Sequence, residues 1–141
     1  MMKGNRTLSS SLARIAFALA VVGFAGLAVP PPGRAQTAEE VDPFYLNLLD
    51  EARALYRDGN PAGAVENLTV ACFGFLDSSA RLLEGYVYLA LCHYQLQDND
   101  KAKFYILEIR RLNLEEHMAD SGLPEAVARK YADLALKVSR S

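Results

Sequence analysis

One helical hairpin pattern occurs twice in this chain, 38 residues apart, and that repetition limits the possible folds more than any other feature. In the second copy, "GYVYLALCHYQLQDNDKAKFYILEIRRL" (85–112), two apolar-periodic stretches flank a short polar break. Shifted back by 38, Tyr86 falls on Leu48, Ala90 on Ala52, His93 on Leu55 and Tyr94 on Tyr56; beyond the break, Ala102 falls on Ala64, Ile106 on Leu68 and Ile109 on Ala71. Apolar residues three and four apart specify helices, and small residues at matching places specify close helix–helix approach.

Punctuation supports the same division. Asp42-Pro43 supplies an N-cap and a helix-first proline before a stretch with Leu48, Ala52 and Leu55 on one stripe. Asp58-Gly59-Asn60-Pro61 ends that helix and caps the next, which carries Ala64, Val65, Leu68, Ala71 and Cys72. "FGFLDSS" breaks the pattern. A third helix is expected from about Ser79 to Leu96, with Tyr86, Leu89, Ala90 and His93 inward. Asp98-Asn99-Asp100 turns into a fourth helix bearing Ala102, Ile106, Ile109 and Leu112. "NLEEHMADSG" reads as a loop, and a last helix from Pro124 carries Val127, Tyr131, Leu134 and Val138. No segment alternates as a strand does. The expected fold is all-α.

The first copy (Leu48, Ala52, Leu55, Gly59, Ala64, Leu68, Ala71) and the second (Tyr86, Leu89, Ala90, His93, Ala102, Ile106, Ile109) together resemble the tetratricopeptide repeat. The resemblance implies a short helical-hairpin solenoid with repeats at about 43–76 and 79–114 and a capping helix at 124–138. It also implies a groove lined by the first helices of the hairpins. Departures from the pattern are the period of 38 against the usual 34, Glu51 at a leucine place, Gln97 at the turn glycine, Ile109 at a small place and no helix-ending proline. A generic four- or five-helix bundle is the rival.

Residues 1–35 have a different character. Lys3, Arg6 and Arg14 precede the uncharged run "IAFALAVVGFAGLAV" (15–29), and Gly33-Arg34-Ala35 follows a proline cluster. This is the three-part pattern of a secretory signal, with cleavage expected near Ala35 and a flexible linker over 36–42. The competing membrane anchor would have fifteen apolar residues, reaching about 22 Å against a hydrocarbon core of roughly 30 Å. No cysteine near Ala35 invites lipid modification. The protein is expected to be periplasmic or extracellular, with no membrane attachment after cleavage.

Past residue 35 the chain holds eleven basic and seventeen acidic groups, a formal charge of −6. Such a balance disfavours phosphate-dominated nucleic-acid binding and anionic membrane surfaces. Export would permit a disulfide, but Cys72 and Cys92 lie in apolar helical stretches at different heights, so two buried thiols are expected. His93 and His117 lack metal-ligand spacing, and His93 reads as a hydrogen-bonded core histidine. No phosphate loop, dinucleotide fingerprint or nucleophile elbow appears. Glu39-Glu40 and Glu115-Glu116 read as solvated surface. No catalytic residue, metal or cofactor is expected.

The surface that remains is the groove. Arg53 and Arg57 lie one turn apart off the core stripe of the first helix, and Tyr88, Leu91 and Gln95 occupy the corresponding face of the third. Guanidinium groups beside an aromatic patch suit an extended or acidic peptide. The competing reading is a solvated face on which Arg53 pairs with Asp50 or Glu51. Some tetratricopeptide proteins grip a terminal carboxylate with Lys and Asn on this face; Arg53 and Tyr88 stand at two asparagine places here, so that activity does not carry over. The function expected is an exported adaptor or scaffold for a protein or peptide, within an envelope assembly. A small exported enzyme and a structural homo-oligomer subunit are the alternatives.

Overall fold

The computed structural model describes residues 40–140. The secretory leader expected over 1–35 and linker residues 36–39 lie outside them. Among the described residues the secondary structure is helical: α1 (Pro43–Arg57), α2 (Pro61–Phe73), α3 (Ser79–Gln95), α4 (Asn99–Arg111), a 3₁₀ turn (Leu114–His117) and α5 (Glu125–Ser139). The all-α reading holds, and the helices pair as hairpins.

The helix boundaries have local chemical causes. The Asp42 carboxylate accepts the Phe44 N–H at 2.8 Å, Asn60 accepts that of Gly63 at 3.1 Å, and Asp98 accepts that of Lys101 at 3.2 Å. Each such cap stabilises its helix by about 1 kcal/mol. The two hairpin turns are built alike, 38 residues apart. Gly59 N–H donates to Tyr56 C=O at 3.2 Å and Asn60 N–H to Leu55 C=O at 2.9 Å; Gln97 N–H donates to Tyr94 C=O at 3.0 Å and Asp98 N–H to His93 C=O at 2.9 Å. This paired bonding closes a helix through a left-handed residue. Gly59 has φ +77° and Gln97 φ +61°. The repeat period therefore survives as backbone geometry, and Gln97 adopts a conformation that glycine adopts more cheaply.

Small residues let the helices approach. Ala52, Ala64, Ala71, Ala90 and Ala102 are all buried. At Gly85 an added Cβ would stand 2.5 Å from the Cys72 sulfur, so α2 and α3 meet there with no room for a side chain. Both cysteines are free and buried, as expected. Burial pushes each thiol up to about 12.

α1 and α2 form one hairpin, α3 and α4 the other; α2 packs on α3, while α5 and the 3₁₀ turn also pack on α3. α3 is consequently the central helix. This position corrects several sequence expectations. On α1 the deepest residues are Leu49, Ala52 and Tyr56, with Leu48 and Leu55 half-buried. On α3, Tyr86 is half-buried whereas Tyr88 is buried. "FGFLDSS" supplies Phe75 to the core although its neighbours break the helical period. The supposed loop after α4 contains the 3₁₀ turn, because Leu114 packs inward against α3 and α4. Leu112, expected on the α4 stripe, is the exposed residue at which that helix ends.

Candidate functional site: a groove between alternate helices

Three alternate helices line one open cleft of about 280 Å³. α1 contributes Tyr56, α3 contributes Leu91, Tyr94 and Gln95, and α5 contributes Lys130, Asp133, Leu134 and Lys137. Leu91 and Leu134, both buried, supply its apolar surface. Two lysine–tyrosine pairs flank it. The Lys130 ammonium lies 5.8 Å from the Tyr56 ring centre and the Lys137 ammonium 5.7 Å from that of Tyr94, within cation–π range. A second cleft, about 420 Å³, shares Tyr94, Leu134 and Lys137 and reaches Asn99, Asp100 and Lys103 at the start of α4. The two clefts thus adjoin at Tyr94, Leu134 and Lys137.

Of the five residues expected to line the groove, Leu91 and Gln95 do so. Arg57 is exposed at the end of α1 but is not part of the cleft wall. Tyr88 and Arg53 correct the expectation. Tyr88 is 3% exposed, and its ring meets that of Tyr56 edge-on with centres 5.3 Å apart. It supports a groove residue from beneath. Burial first, then the Glu84 charge, raises its hydroxyl above the ordinary tyrosine range, while Arg53 and Arg57 oppose that rise.

Arg53 is committed elsewhere. Its Nε donates to Glu84 Oε1 at 2.8 Å, its Nη2 donates to the same oxygen, and its Nη1 donates to Asp50 Oδ1 at 2.5 Å. Glu84 is fully buried, and Arg81 Nη1 donates to its other oxygen at 3.2 Å. Burial alone would lower the Arg53 guanidinium; the Glu84 hydrogen bond and charge, with help from Asp50, outweigh it and raise the group. The Asp50 half of this cluster was legible in the sequence. The sequence signal for Glu84 is only that it is a lone acid among the apolar residues of "LLEGYVY".

Sequence reasoning also missed Tyr56, Tyr94, Lys130 and Lys137 as groove residues. Tyr56 and Tyr94 are equivalent under the 38-residue shift, and this could have marked them as one face. Lys130 and Lys137 join only because α5 lies against α3. The Tyr56 hydroxyl is buried without a close hydrogen-bond partner, and burial, with the Cys92 charge, raises it against the tempering effect of Gln95.

The arrangement offers an apolar trough with cations and ring faces at its edges. Among the described residues no three His, Cys, Asp or Glu side chains converge to hold a metal, and no helix is long and apolar enough to cross a membrane. No family model, no curated protein and no solved structure matches the chain.

Proposed function

We propose that this chain is an exported, tetratricopeptide-like interaction module whose groove receives an extended protein segment carrying apolar and acidic side chains. The observation that carries the reading is the juxtaposition of Leu91 and Leu134 with the Lys130–Tyr56 and Lys137–Tyr94 pairs. Apolar side chains of a bound segment would fill the trough, and its carboxylates would face the lysines. Charge favours this site over the remaining surface: from residue 36 onward the chain is net −6, while the lining of the first cleft includes two lysines and one acid, Asp133.

The test is photo-cross-linking from position 95, with position 66 on α2 as a control. A discrete adduct from position 95 alone, whose cross-linked segment binds the purified chain as a synthetic peptide, supports the reading. Peptide binding that survives Leu91→Asp refutes it. A structural oligomer is a second reading, because Phe73 and Leu76 are 70% and 63% exposed beside Tyr86 and Tyr105. Sedimentation of the full chain decides that point: a concentration-dependent dimer abolished by Phe73→Ser supports it.

A further inference from the structure

Beside the groove, at the turn from α3 to α4, lies a histidine without the hydrogen bond expected of a core imidazole. His93 is 5% exposed, and its Nδ1 has no hydrogen-bond partner. The ring lies flat against Tyr105, with centres 5.7 Å apart and planes 13° from parallel. Nδ1 faces Asp98 Oδ2 at 3.7 Å, beyond hydrogen-bond range. The charged and titratable groups around the ring are Asp98 in the turn, with Lys101 and Tyr105 on α4.

Asp98 has several roles at once. Its Oδ1 caps α4 through Lys101 N–H at 3.2 Å, its Oδ2 lies 3.5 Å from the Lys101 ammonium, and its own N–H donates to His93 C=O at 2.9 Å. The four residues enclosed by that last bond include Tyr94 and Gln95, which line the groove, and Gln97, which holds the left-handed turn. The His93–Asp98 contact therefore spans the segment that forms the groove's rim.

We propose that His93 and Asp98 form a proton-dependent latch: protonated His93 closes onto Asp98, shifts the Tyr94–Gln97 rim and alters what the groove can hold. The neutral ring has a stacking partner but no bond at Nδ1. Adding a proton there places a cation opposite a carboxylate that must move less than an ångström to accept it. Burial lowers the His93 pKa below its ordinary 6.5, and the attraction of Asp98 only partly opposes this. The fold thus favours the neutral ring. Its contribution to stability is complete above pH 6.5 and is lost as pH falls from there through the lowered pKa. The consequence for binding rests on the groove reading above, but the latch itself can be tested without any partner.

The experiment is an NMR titration of the isotopically labelled full chain between pH 8 and 5, following both imidazoles and the amides of Tyr94, Gln95 and Gln97. The rim amides are expected to move with the midpoint of His93, below 6.5. His93→Gln should abolish their titration. Asp98→Asn, which keeps a capping side chain, should lower the His93 midpoint further and shrink the amide shifts. Rim amides that stay fixed while His93 titrates overturn the proposal, as does rim titration that persists in His93→Gln or an imidazole still neutral at pH 5. Failure of the latch leaves the groove's ability to bind a segment untouched, so the two ideas fail separately.

Discussion

α1 and α3 occupy the same place in their hairpins, yet α1 buries three of its fifteen residues and α3 eleven of its seventeen. Their turns share a hydrogen-bonding pattern and a left-handed residue at the same register. What differs is the company each keeps. α1 packs chiefly on α2, while α3 meets α2, α4, α5 and the 3₁₀ turn. A helix with one close neighbour leaves a face for solvent, and one enclosed by several does not. Local pattern therefore decides that both segments are helical hairpins, and neighbour number decides which residues remain reachable.

The largest effect should come from the ion cluster that joins the two helices. Replacing Arg53 with Met leaves the fully buried Glu84 carboxylate with Arg81, which approaches it at 3.2 Å. Removing one partner of a buried pair typically costs about 3–5 kcal/mol. Urea denaturation should show that loss, and the double variant Arg53→Met, Glu84→Leu should recover much of it. If the double variant is as unstable as the single one, the cluster is not the tie between hairpins.

The equivalent tyrosines sharpen the comparison next. Tyr56 is 8% exposed and Tyr94 43%. Tyr56→Ala should destabilise by about 3 kcal/mol through lost burial and the cavity left against Tyr88, and Tyr94→Ala by less than about 1. Equal losses would mean that the two hairpins are buried alike. The alanine pair gives a smaller contrast. Leucine at Ala90, within the enclosed helix, should overpack by about 1–3 kcal/mol and exceed the cost of leucine at Ala52. Thermal midpoints would rank them.

How much could be read beforehand follows the same division. Capping by Asp42, Asn60 and Asp98 was legible because side-chain and backbone chemistry within four residues determines it. The small-residue contacts at Ala90 and Ala102 were legible from the repeat. Tyr88 was misplaced because its burial comes from helices distant in sequence, which a period cannot reveal. Arg53 was half-read: Asp50 lies three residues away on the same helix, whereas Glu84 lies on another hairpin. Leu91 and Gln95, which the repeat places on one face of α3, both line the cleft, but its lysines belong to α5, whose docking the two-copy pattern does not encode.

The turns permit the mildest and most direct test of whether the hairpins are repeats in backbone as well as in pattern. Gly59 tolerates φ +77° freely, and nothing lies within 4 Å of a Cβ added there, so Gly59→Ala would suffer from backbone strain alone. It should cost about 1 kcal/mol. Gln97 already bears such strain at φ +61°, so Gln97→Gly should change stability in the opposite sense, by about 0.5 kcal/mol because the freer unfolded chain offsets part of the relief. Opposite signs in chemical denaturation would establish the same left-handed turn at both sites. If Gln97→Gly destabilises, the Gln97 side chain must contribute more than its conformation costs, and the second turn would differ in kind from the first. The rim of the groove would then depend on that side chain as well as on the turn.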